Sequence, residues 1–168
     1  MFTKITYSFI LISTLAWGIS PGFCAFKNRT YQDVISAKYK ECKLIKENIF
    51  LKKDQLNNIE EKLGFKVSSL LLRYKNSCSK SFIYIDSHIV RTLNETVVIE
   101  VKDKRISYIE IASFMEPKEY LPPLKWIDLL KRKGSEVDSL TGATLSQNAL
   151  KKLVQKYIVI DNILNDKT

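Results

Sequence analysis

Thr96-Val97-Val98-Ile99-Glu100-Val101, Lys102-Asp103-Lys104 and Arg105-Ile106-Ser107-Tyr108-Ile109-Glu110-Ile111 read as two β-strands closed by a short turn, and this hairpin decides the fold class. Val, Ile and Tyr crowd both arms, residue types that suit a pleated, half-buried surface. Toward the N-terminus, residues 67–74, 82–85 and 88–92 have the same character. Strand-like runs that follow one another with no helix between them predict an antiparallel sheet and an α+β class, not a doubly wound parallel one.

Outside that block the apolar period lengthens. Thr30 followed by Asp33 opens a predicted helix over 31–46, with Tyr31, Ile35, Tyr39, Cys42 and Ile45 on one face. A second helix over 54–63 carries Leu56, Ile59 and Leu63 on one side and stops at Gly64. Pro122 and Pro123 precede a short helix over 125–133 that ends at Gly134. Leu150, Leu153, Val154, Tyr157 and Ile158 then predict a final amphipathic helix from about Ser146 to Asn162. With no repeat and no low-complexity linker, the chain reads as one domain, a sheet packed by helices.

The loop over 135–142 enters the last helix through Asp138-Ser139-Leu140-Thr141-Gly142-Ala143-Thr144. Thr144 and Gln147 fit a capping box, and Thr144 and Ser146 are both candidates for the cap. Free amides at a helix start favour a negative group by about 0.3 to 1 kcal/mol. Gly142 and Ala143 keep side-chain bulk away, so a phosphate could come close to the main chain. A plain helix cap is the competing reading of the same residues.

The seven residues from Asp138 to Thr144 resemble the flavinylation motif, Asp-x-x-(Ser/Thr)-Gly-Ala-Thr, of the extracytoplasmic FMN-binding domain family. That family includes the covalent-FMN subunits of the sodium-pumping NADH:quinone reductase and of the Rnf complex. Residues 89–95 and 114–123, with Trp126, are similar to segments of its small stand-alone members, so the resemblance spans roughly 50–160. It implies an FMN cofactor joined by a flavin transferase, through a phosphodiester, to Thr144. Asp138, Leu140, Thr141, Gly142 and Ala143 would surround the attachment, with Asp138 at the acidic position that the transferase would read. Glu116, Tyr120 and Trp126 are further candidates for the flavin pocket, although other branches of the family carry Glu-Thr-Pro-Gly where this chain has Glu116-Pro117-Lys118-Glu119. Trp126 also reads as a core residue. Arg91 could balance a phosphate or a reduced flavin, and an exposed strand arginine is the plain reading.

FMN brings its own redox chemistry, so the protein needs few catalytic side chains. The single histidine, His88, excludes a His-rich metal site, and its place in a predicted strand makes it a hydrogen-bonded structural residue. Neither Gly-x-Ser-x-Gly, a Walker loop nor Gly-x-Gly-x-x-Gly is present. The expected function is therefore an exported flavoprotein that passes electrons to or from membrane-associated redox partners, a carrier more than a self-contained enzyme. Two alternatives stand beside it: an envelope binding module without flavin, and a flavin-dependent reductase with its own small substrate.

Lys4, the apolar run over 9–19 and then Ser20, Pro21 and Gly22 have the layout of a secretory signal. Residues 1–25 read as a signal peptide or an uncleaved anchor, and 26–168 as the mature domain, placed in the periplasm or at the outer face of the inner membrane. Phe23 before Cys24 argues against a lipoprotein signal. The net charge of +9 is spread over lysines without aromatic interleaving. This suits solvated faces or an anionic membrane surface and argues against a nucleic-acid partner. In an oxidising compartment Cys42 and Cys78 could pair, with Cys42 as a buried small hydrophobe the alternative.

Overall fold

The computed structural model describes residues 26–165; the expected signal segment over 1–25 lies outside them. The chain forms α1 (Tyr31–Lys38), β1 (Leu44–Phe50), α2 (Lys53–Leu63), β2 (Leu70–Asn76), β3 (Ser81–Ile89), β4 (Asn94–Lys102), β5 (Arg105–Phe114), α3 (Leu124–Lys133) and α4 (Thr144–Asn165). The strands build one five-stranded antiparallel meander in the order β1-β2-β3-β4-β5. Fold class, sheet and C-terminal helix are those expected.

The hairpin closes as read. Asp103 and Lys104 both take positive φ, 50° and 62°, the backbone twist that a tight two-residue turn between right-twisted strands requires. Alternation then divides the sheet. Val97, Ile99 and Val101 enter the main core with residues of α2, α3 and α4. Val98 joins Val34 and Ile35 of α1 in a smaller core. Side chains leave a strand on alternate faces, so the central strands are covered on both.

Two expectations are corrected. The first helix ends at Lys38, not near Lys46, and residues from Leu44 onward form edge strand β1, paired in register with β2 from Leu44↔Asn76 to Phe50↔Leu70. The three-residue spacing of Tyr39, Cys42 and Ile45 suited a helix, and backbone bonds to a partner some thirty residues away overrode it. The runs at 82–85 and 88–92 are parts of one strand, β3, whose end at Ile89 leaves residues 90–93 as the turn into β4. Cys42 and Cys78 form a disulfide, with Cα atoms 5.6 Å apart, that ties the start of β1 to the β2–β3 turn.

Candidate functional site

The segment Asp138–Thr144 is stitched down from both sides. Trp126 in α3 donates its indole N–H to the Asp138 carbonyl at 2.8 Å. Ser139 donates to Asn148 at 3.0 Å and receives Lys151 Nζ at 3.1 Å. The Leu140 amide donates to the Gln147 side chain at 2.6 Å, and Thr144 Oγ1 donates to the Leu140 carbonyl at 3.3 Å. Capping therefore differs from the expectation. Thr144 is the first helical residue, the first turn closes on the Ala143 carbonyl through the Gln147 amide at 3.0 Å, and the Gln147 side chain turns to Leu140 instead of completing a capping box.

Gly142 has φ +96°, a conformation that a side chain strains, yet a Cβ placed there would meet nothing within 4 Å. Conformation makes glycine necessary, and the space before it is open. Thr144 and Leu140 stand in solvent, Leu140 at 48% exposure, whereas Ala143 is buried. Ser146, which also had been a cap candidate, is fully buried inside the first turn, and its Oγ has no hydrogen-bond partner among the described residues.

In front of this turn is a small cavity of about 120 Å³, walled by Gly142, Ala143, Thr144 and Ser146 and, from across the fold, by Arg91 and Tyr120. The Arg91 guanidinium lies over the Tyr120 ring, 4.1 Å from its centre, a cation–π contact that holds the charge at the wall. Glu116 works one step behind. Its Oε1 accepts the amides of Thr92 at 2.6 Å and Leu93 at 2.8 Å, fixing the turn that carries Arg91. Those backbone bonds keep the Glu116 carboxyl below the usual range.

The three segments singled out in the sequence thus meet, but with distinct parts. Thr144, Gly142, Ala143, Arg91 and Tyr120 line the cavity. Asp138 and Thr141 lie exposed in the loop. Glu116 and Trp126 support the walls without forming them; Trp126 is 2% exposed and belongs to the core, as its plain reading had it.

A second, larger cleft of about 670 Å³ opens on the other side of Leu145, which borders both spaces. It runs between α4, the end of β3 and the loop after α2. His88 stands in its wall. Nδ1 is 3.0 Å from Asp86 Oδ1, and Nε2 is 3.0 Å from Glu95 Oε2 as an ion pair without the alignment of a hydrogen bond. Asp86 also receives Lys156 Nζ and, at 2.8 Å, the Tyr157 hydroxyl. Burial disfavours the imidazolium, but the flanking carboxylates outweigh it and push the His88 pKa up to about 9. Asp86 is held well below the carboxylate range in spite of its burial, by its bonds to His88, Lys156 and Tyr157. Glu95, fully buried, is raised by that burial. The sequence reading of His88 as a hydrogen-bonded structural histidine had no means of finding Glu95, which reaches it from the neighbouring strand.

An anion fits the small cavity on three counts: the amides of a helix start, an arginine fixed at the wall, and a buried hydroxyl still lacking a partner. No curated protein and no solved structure matches the chain. Residues 93–159, which include β4, β5 and the Asp138–Thr144 loop, match the family model described as FMN-binding domain. That match supports an FMN-binding domain over these residues and indicates FMN as the cofactor.

Proposed function

We propose that this chain is an exported electron carrier whose FMN is esterified through its phosphate to Thr144 Oγ1, and that it serves redox partners at the outer face of the membrane. The small cavity carries the reading. Thr144 offers an exposed aliphatic hydroxyl in that wall, Ser146 brings a second one from inside the turn, and Arg91 supplies the positive charge a phosphodiester needs. At about 120 Å³ the cavity is below the roughly 300–1,000 Å³ of small-molecule sites, so it suits the phosphate and not the ring. The 670 Å³ cleft on the far side of Leu145 lies within that range and suits the isoalloxazine.

Bound FMN would supply one- and two-electron transfer. The residues here do the rest. Gly142 and Ala143 would bring main chain to the phosphate and Arg91 would balance it, while Leu145 borders both spaces. An exposed Thr144 also lets a flavin transferase reach the hydroxyl before the flavin is seated, with Asp138 in solvent beside it for recognition. Export is supported by the apolar run over 9–19 and by the Cys42–Cys78 pair, which suits an oxidising compartment. No helix among the described residues is long and apolar enough to cross a membrane. The spread of lysines supports attraction to an anionic membrane surface.

Co-expression with a flavin transferase, followed by intact-mass measurement, tests the proposal. The expected result is one FMN per chain, lost in Thr144→Ala. Labelling that survives Thr144→Ala would overturn the attachment site, and an unlabelled wild type would favour a flavin-free binding module.

A further inference from the structure

We propose that the cleft beside α4 is built to hold the negative charge that an isoalloxazine ring acquires on reduction, with Lys152 and His88 as the cations that face it. The inference rests on the reading of Thr144 as the attachment point and extends it to the residues that set the flavin's potential.

Charge is the first observation. Lys66 from the loop after α2, Lys151, Lys152 and Lys156 from α4 and His88 from β3 line the cleft, against a single carboxylate, Asp86. Lys66 is paired outward with Glu60, Lys151 with Ser139, and Lys156 and His88 with Asp86. Behind the wall, Glu95 adds its buried carboxyl to His88, and Tyr157 its hydroxyl to Asp86. Lys152 differs from all of these. It forms no ion pair among the described residues, and its Nζ stands 5.9 Å from the centre of the Phe65 ring, itself part of the cleft wall. An ammonium without an ion pair, at the outer reach of an aromatic wall, is placed to receive an anion.

Shape is the second. Phe65, Val90, Ala149 and Leu153 give the cleft apolar surface, and Ile89 and Leu145 stay 66% and 56% exposed at its edge. Apolar side chains left in solvent around a basic cleft suit a flat ligand that is apolar on its faces and anionic at one edge. Reduced flavin is such a ligand. Two electrons and one proton, the proton bound at N5, leave a negative charge over N1 and the neighbouring carbonyl; a second proton at N1 removes it. Cations that line the cleft favour the anion over both the oxidised ring and the N1-protonated form. They raise the midpoint potential and keep N1 deprotonated to lower pH.

The test uses FMN-loaded full chain, reduced stepwise with dithionite against a redox dye over a range of pH, with the absorption of reduced flavin followed to locate N1 protonation. Intact mass first confirms one FMN per chain. Lys152→Met should weaken the reduced state about tenfold, read as a midpoint lower by about 30 mV for a two-electron couple, and should move N1 protonation to higher pH. His88→Gln should move both in the same direction. Lys46→Met, on β1 outside the cleft, should move neither, since distant exposed charges are screened at about 0.1 M salt. A loaded Lys152→Met chain with the wild-type midpoint and wild-type N1 titration would overturn the inference and leave the attachment intact. A wild type without flavin would overturn both.

Discussion

Two buried glutamates at opposite ends of β4 show how differently the two ends of the sheet are built. Glu100 receives Asn76 Nδ2 at 3.1 Å, Ser79 at 3.2 Å, Ser107 at 2.8 Å and Ser81 besides, and these hydroxyl bonds hold its carboxyl below the usual range against the burial that would raise it. Glu95 has one cationic neighbour, His88, no aligned donor, and a raised pKa caused by burial. The Glu100 end also holds the Cys42–Cys78 bridge and is closed to chemistry. At the Glu95 end lie the unpartnered Ser146 hydroxyl, the fixed Arg91 and both cavities. The Glu100 carboxylate is satisfied by the protein alone, although the buried Tyr39 hydroxyl beside it lacks an aligned partner; the Glu95 end leaves its carboxylate and the Ser146 hydroxyl for a ligand to complete.

Breaking the closed end should cost the most stability and the least function. Removing the bridge with Cys42→Ala and Cys78→Ala, at a sequence separation of 36, should lower unfolding free energy by about 3 to 4 kcal/mol in a denaturant titration, with flavin loading unchanged at low temperature. Lost loading in a folded double variant would show that the two ends are not separable.

Next in size is a pH effect at the open end. His88 titrates at about 9 in the folded chain and near 6.5 when unfolded, so the native state holds the extra proton between those values. Stability from this group is complete below about 6.5 and is lost as pH rises toward 9, by up to about 3 kcal/mol. Unfolding curves at pH 6 and 9 should show the fall in wild type and lose most of it in His88→Gln.

The glutamates themselves give a sharper contrast. Glu100→Gln should cost about 2 kcal/mol, because three hydroxyls and an amide lose a charged acceptor. Glu95→Gln has fewer bonds to lose and should cost less; equal losses would erase the distinction drawn here. Smallest is Gly142→Ala. A Cβ would meet no neighbour, so the cost is that of φ +96° alone, about 1 kcal/mol by denaturant titration, and flavin loading should fall further than stability does.

What the sequence disclosed follows from the range of each signal. The hairpin at 96–111, the Gly64 stop of α2 and the apolar stripe of α4 are local, and each was readable before the fold was known. β1 was not, since an edge strand draws its structure from a partner far along the chain and its spacing imitates a helix. The motif at 138–144 was likewise local. Arg91, Glu116 and Tyr120 were named from the resemblance, but only the fold gives them separate tasks as charge, clamp and wall. Ser146 went unread as an interior hydroxyl because capping and burial look alike in one dimension. Asp86 and His88, two apart on one strand, carried a faint signal of a shared face. Glu95 and Lys152 carried none, because Glu95 meets His88 and Lys152 meets the cleft from other elements.

The most direct measurement is the intact mass and visible absorbance of the chain matured with a flavin transferase, taken beside Thr144→Ala. Yellow wild type with one FMN and a colourless, unmodified variant of equal stability is the expected pair. A colourless wild type, or a variant that still carries covalent flavin, would contradict the account.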